Sequence, residues 1–162
     1  MEIMYLFIII VLVILAISDL VVGVSNDAVN FVNSALGSKA ATFRTVMIIA
    51  ALGVLVGATF SSGMMEVARK GIFNPENFAF KEVMIIFLAV MLTDVLLLDL
   101  FNTAGLPTST TVSLVFSLVG SAFAFSTIKI IQSGETMAAY AEYINTGKVF
   151  AIISGILLSI AL

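Results

Sequence analysis

The sequence predicts an all-α integral membrane protein with about five hydrophobic segments, some of them broken or re-entrant, and a single membrane domain over residues 1–162. Three observations carry that prediction. Apolar residues make up 61% of the chain and charged residues only 10%, against roughly 45–50% and 25% in a soluble domain. Long uncharged runs approach or reach the roughly 20 residues that cross a hydrocarbon core of about 30 Å. The polar residues that interrupt them come in clusters instead of being spread along the chain.

The first run is Ile3 to Ser18, and it continues past Asp19 through Val22. Glu2 is the only early charge, so the basic start of a signal peptide is missing. The segment reads as a spanning helix whose C-terminal part is broken or lined by polar groups. Val46 to Met65 forms a second, 20-residue run, with Gly53 and Gly57 on one face for helix packing. Glu66 to Glu82 reads as a loop with a turn at Asn74-Pro75-Glu76-Asn77. Val83 to Leu100 spans again, interrupted by Asp94 and Asp99, the latter near the membrane edge. Leu106 to Ile128 carries no charge but opens on hydroxyls, and Met137 to Tyr143 reads as a short surface helix. The last run, Val149 to Leu162, has 14 residues, short of a full span. The expectation is that a longer polypeptide or a partner chain completes the functional unit. Five of the seven cations fall in 66–82 and 129–148, which positive-inside reasoning places in the cytoplasm if every run spans.

Composition also excludes chemistries. The chain has no Cys and no His, so disulfides, thiolate metal sites and a Ser-His-Asp triad cannot be built. Seven Lys and Arg stand against ten Asp and Glu, which leaves no basic footprint for nucleic acid. What remains is carboxylates, amides, hydroxyls and backbone dipoles, with no cofactor implied.

Two clusters concentrate those groups. The first is Asp19-x-x-x-Gly23-x-x-Asn26-Asp27-x-x-Asn30. On a helix, Asp19, Gly23 and Asp27 share one face, and Asn26 and Asn30 lie together one turn apart. A charge at the bilayer centre costs at least about 2.5–3.5 kcal/mol, so such groups face a bundle interior or a wet cavity. Their oxygens are hard donors, suited to Na⁺ or a proton relay. Asn26, Asp27 and Asp94 are the candidate Na⁺ ligands. The competing reading is a capped helix end at the interface, which four polar side chains from Asn26 to Asn33 exceed.

The second cluster is Gly105-Leu106-Pro107-Thr108-Ser109-Thr110-Thr111. Pro at the first helical position and Gly before it start a helix after a tight turn. The free N–H groups and positive dipole end of that helix, ringed by four hydroxyls, suit a tetrahedral oxyanion. Plain helix capping by these hydroxyls is the alternative.

The two clusters resemble the signatures of the inorganic phosphate transporter (PiT) family. That family carries a G-x-N-D-x-x-N type signature early in each half, similar to Gly23 through Asn30 followed by Gly37-Ser38 here. It carries a G-x-P-x-S-T-T-H type signature later, similar to Gly105 through Thr111. The sequence departs from the pattern at Val112, where the family has His, and at the bulky Val29 and Phe31 around Asn30. One copy of each signature is present. The resemblance implies the N-terminal repeat of an inverted-repeat transporter for inorganic phosphate, driven by Na⁺ or H⁺, in the cell (inner) membrane. It implies Asn26, Asp27, Asn30, Thr108, Ser109, Thr110 and Thr111 as substrate-binding residues. A second repeat or second chain, as in a homo-oligomer, completes the site. Two other readings stay open: transport of a related oxyanion such as sulfate, and a non-transporting membrane subunit of a larger complex.

Overall fold

In the computed structural model, which describes residues 2–66, 70–106 and 108–161, the chain is helical throughout apart from turns and one isolated bridge between Phe73 and Ile144. The helices are α1 (Glu2–Gly37), α2 (Phe43–Thr59), α3 (Ser62–Glu66), α4 (Phe80–Thr103), α5 (Thr110–Ser133), α6 (Tyr140–Tyr143) and α7 (Thr146–Ala161). Three contain apolar stretches long enough to cross a membrane, Ile3–Ala28, Phe80–Thr103 and Thr110–Ser133. The protein is therefore an integral membrane protein by its own hydropathy.

The two shorter apolar runs form shorter helices. The run from Val46 stops as a helix at Thr59, and Phe60-Ser61 separates α2 from α3. Thr59 and Ser61 hydroxyls bond back to the carbonyls of Leu55 and Ala58 there, an alternative to continuing the ladder. The packing face expected at Gly53 and Gly57 is open, since nothing lies within 4 Å of a Cβ at either. The segment around Met137–Tyr143 is a 3₁₀ turn leading into one helical turn, as a short surface helix.

α1 is not broken. It runs 36 residues without interruption, and its polar stretch is met by other helices instead of by a kink. α1 packs on α4, α4 on α5, and α2 along α1. The Tyr5 and Phe80 rings meet at 6.0 Å, and Asn26 meets Asn102, so α1 and α4 run parallel. α5 returns antiparallel after the turn at 104–109. Gly105 makes that turn at φ +67°. Its N–H bonds the Asn102 carbonyl while that of Leu106 bonds Phe101, a Schellman closure that a left-handed Gly makes without strain.

The apolar core lies towards the far end of the α4–α5 pair. Ile86 and Val90 pack with Val115, Leu118, Ala122 and Ile130 under the segments carrying Phe73, Phe78, Tyr143 and Ile144. Lys129 bolts that end together. It donates to Glu82 at 3.0 Å and to the Asn77 carbonyl at 2.8 Å, and it sits over the Phe78 and Tyr143 rings. With apolar packing concentrated there, the polar side chains gather at the opposite end of the three-helix contact.

Candidate functional site

Polar groups cross the α1–α4–α5 contact in two tiers. At about 1.5 Å per residue, Asp19 and Asp94 each lie about 21 Å along their helices from the Tyr5–Phe80 pair, and Asn26 and Asn102 about 32 Å. Lys81 and Glu82 mark an aqueous boundary near that pair. With a core of about 30 Å, the Asp19–Asp94 tier lies well inside the membrane and the Asn26–Asn102 tier nearer its far edge.

The inner tier is held by α4 and α5. Asp94 is 2% exposed and accepts a hydrogen bond from the Ser113 hydroxyl, itself 8% exposed. Asp19, on α1, stands at the same level along the parallel pair of helices. Asp19 Oδ1 is fully buried with no partner among the described residues. A groove of about 610 Å³ between α4 and α5 runs beside Thr93, Thr108, Ser113, Ser117 and Ser121.

The outer tier joins the two sequence clusters. Thr110, the first residue of α5, donates its hydroxyl to the Asp27 carboxylate at 3.2 Å to Oδ2 and 3.4 Å to Oδ1. The Thr110 methyl also lies 3.8 Å from where a Cβ on Gly23 would stand, ordinary van der Waals contact, so α1 and α5 meet closely at this level. Asn26, 6% exposed, donates through Nδ2 to Asn102 Oδ1 at 2.8 Å. Asn102 in turn donates to the Val22 carbonyl at 3.2 Å.

Asn26, Asp27, Thr110 and Thr108 thus lie on or beside the interhelix contact, and Asp94 lies one tier below. Ser109 is exposed and acts as the N-cap of α5, accepting from the Val112 N–H at 3.3 Å. That places the helix start at Thr110, later than the proline-led start expected, while Pro107 lies outside the described residues. The Thr110 and Thr111 N–H groups at this end have no intrahelical acceptor. Asn30 and Thr111 are exposed, away from the three-helix contact. Two residues of the site are absent from the sequence-derived set, Asn102 and Ser113. Each lies close to other polar residues near a helix end, and only its partner on another helix distinguishes it from a surface residue.

Comparison with known proteins identifies the family of the chain. The profile of the phosphate transporter family matches residues 23–162. A Thermococcus kodakarensis protein named "Putative phosphate permease" is 30% identical over 132 residues, which is 80% of this chain and 32% of the relative. Namesakes in Pyrococcus abyssi and Pyrococcus furiosus are each 30% identical over 130 residues, 79% of this chain and 32% of the relative. The chain spans about a third of the length of the curated relatives it matches. No solved structure matches it. With the profile covering most of the chain, from Gly23 onward, this protein belongs to the phosphate transporter family.

Proposed function

We propose that the chain supplies one half of a carrier that moves inorganic phosphate across the cell (inner) membrane together with Na⁺ or H⁺. The observation that carries the reading is the Thr110–Asp27 contact, which joins an anion-attracting helix start to a membrane carboxylate. The free N–H groups and the hydroxyls of Thr108, Ser109 and Thr111 are donors for phosphate oxygens, and Thr110, whose one O–H is on Asp27, binds the anion through its N–H. Asp27 has acceptor capacity beyond its bond from Thr110 and takes the hydroxyl of a protonated phosphate. Sulfate carries no proton at neutral pH and meets only repulsion from that carboxylate, so phosphate is favoured.

Cation coupling follows from charge. Asp19, Asp27 and Asp94 bring carboxyls to the helix contact, and the one ion pair among the described residues, Lys129 with Glu82, lies at the other end. An anion entering beside carboxylates needs a cation, and the cation is retained better with the anion present, so each raises the affinity for the other. Oxygens of Asn26, Asp27 and Asp94 are the ligand candidates. Asn30 and Thr111 join the site where a second repeat, or a second chain in a homo-oligomer, covers their exposed face.

The test is [³²P]phosphate uptake into proteoliposomes carrying the complete gene product, with Na⁺ and pH gradients imposed separately. Gradient-driven uptake that disappears in Asp27→Asn and weakens in Ser109→Ala supports the proposal. Sulfate uptake without phosphate uptake refutes the substrate assignment. Full uptake by Asp27→Asn refutes the site.

A further inference from the structure

The outer tier contains a buried amide oxygen with nothing to bind, and its orientation is set from α4. Asn102 Nδ2 donates to the Val22 carbonyl at 3.2 Å. Turning the Asn102 amide over would set its oxygen against that carbonyl, acceptor against acceptor, so the network fixes its orientation. Asn102 Oδ1 therefore faces Asn26 and receives its Nδ2 at 2.8 Å. Asn26 has then spent its amide nitrogen on α4. Its Oδ1 is left buried without a donor among the described residues, on a side chain only 6% exposed.

We infer that Asn102 is a positioning residue that aims the oxygen of Asn26 into the site, making Asn26 a cation ligand and removing it from the donors that hold phosphate. The inference rests on the cation-coupled reading above and refines it. A buried amide oxygen without a donor carries an uncompensated desolvation cost, so a ligand that completes it is strongly favoured. Phosphate oxygens are acceptors and cannot complete it. A phosphate hydroxyl finds a stronger acceptor in the adjacent Asp27 carboxylate. A desolvated alkali cation takes an amide oxygen readily, and a neighbouring carboxylate supplies the balancing charge.

The complete gene product, purified and in proteoliposomes, provides the test, with NaCl replaced by choline chloride as the control. In Asn102→Ala the Asn26 amide loses its restraint. The Na⁺ concentration for half-maximal uptake is expected to rise roughly 10-fold or more, as for the loss of a residue that orients a metal ligand. The phosphate KM at saturating Na⁺ moves little. Asn102→Gln keeps both the donor for Val22 and the acceptor for Asn26 Nδ2 without adding charge, and is expected to return Na⁺ half-saturation part of the way towards the wild-type value. A merely structural role predicts no such rescue and equal effects on both solutes. Independently of transport, NaCl raises the Tm of the wild type in detergent, and this rise is lost in Asn102→Ala. A raised phosphate KM with unchanged Na⁺ half-saturation overturns the inference and returns Asn26 to the anion. A wild type driven by a pH gradient, with neither uptake nor Tm responding to Na⁺, overturns it while leaving phosphate transport in place. Absence of phosphate uptake refutes the proposed function instead, and the Tm measurement still decides the role of Asn102.

Discussion

Replacing Ser113 by Ala removes the donor to the most buried carboxylate of the transmembrane contact. Ser113 and Asp94 are 8% and 2% exposed, so water is poorly placed to substitute. A hydrogen bond to a charged group is worth about 1.5–3 kcal/mol, and Ser to Ala leaves almost no cavity. The expected destabilisation is about 2 kcal/mol, a factor of roughly 30 in the unfolding equilibrium. The double variant Asp94→Leu with Ser113→Ala should be more stable than Ser113→Ala alone. It removes the unpaired carboxylate as well as its donor, and leucine packs between Val90 and Leu98 on the same face of α4. Reversible unfolding in mixed dodecylmaltoside–SDS micelles, followed by helical ellipticity, measures both differences. Uptake supplies the second readout, since the double variant regains stability but lacks a candidate cation ligand and should stay inactive. A loss below about 0.5 kcal/mol in Ser113→Ala, the level of an ordinary surface substitution, would refute the reasoning. So would a double variant less stable than the single one.

Three other perturbations separate site from scaffold. Thr110→Val keeps the shape against Gly23 and removes the hydroxyl. Because its bonds to Asp27 are long, at 3.2 and 3.4 Å, stability should fall by less than about 1 kcal/mol while phosphate uptake drops sharply, as transport and micelle unfolding measured together will show. Lys129→Met keeps the aliphatic stem but loses the ion pair and the ring contacts at 5.3 and 5.5 Å. The expected loss is about 1–2 kcal/mol, smaller in high salt, with the Na⁺ dependence of uptake unchanged. Gly105→Ala places a Cβ at φ +67° in open space, so its cost is backbone strain alone, about 1–2 kcal/mol. Gly105→Asn should cost less, because Asn tolerates that conformation, and the midpoints of the two unfolding curves decide.

Much of the fold is legible in the sequence because bilayer thickness and hydropathy act on each segment separately. Runs beginning at Ile3, Val83 and Leu106 report three spanning helices without knowledge of any partner. The Met137–Tyr143 turn and the tight turn at Gly105 are equally local. Where hydroxyls compete with the backbone, local signals also compete, and the helix boundaries move. Ser61 and its neighbours divide the run from Val46, and Ser109 takes over the capping of α5. The unbroken course of α1 is a different case. A stretch as polar as Ser25 to Ser34 looks unfit for a helix in lipid, yet Asn102 and Thr110 on other helices hold two of its side chains.

The site divides along the same line between local and long-range information. Residue types and helical spacing select Asn26, Asp27 and Asp94, because a carboxylate or amide at membrane depth requires a reason wherever its partners lie. They do not select Asn102 or Ser113, whose significance exists only across 76 and 19 residues of sequence. Nor do they assign Asn26 to one solute, since an amide presents a donor and an acceptor on equal terms. That assignment passes from Val22 to Asn102 to Asn26, each bond fixing the sense of the next. It begins at a backbone carbonyl, which can only accept. The parallel alignment of α1 with α4 sets the register in which this happens, seven residues along α1 matching eight along α4 between the tiers. One helical turn of slippage in that register would break the Val22–Asn102–Asn26 chain. The apolar packing around Ile86, Val90 and Leu118 at the far end and the Lys129 clamp beyond it resist that slippage. Residues that touch no solute therefore set which face of an amide the solute meets.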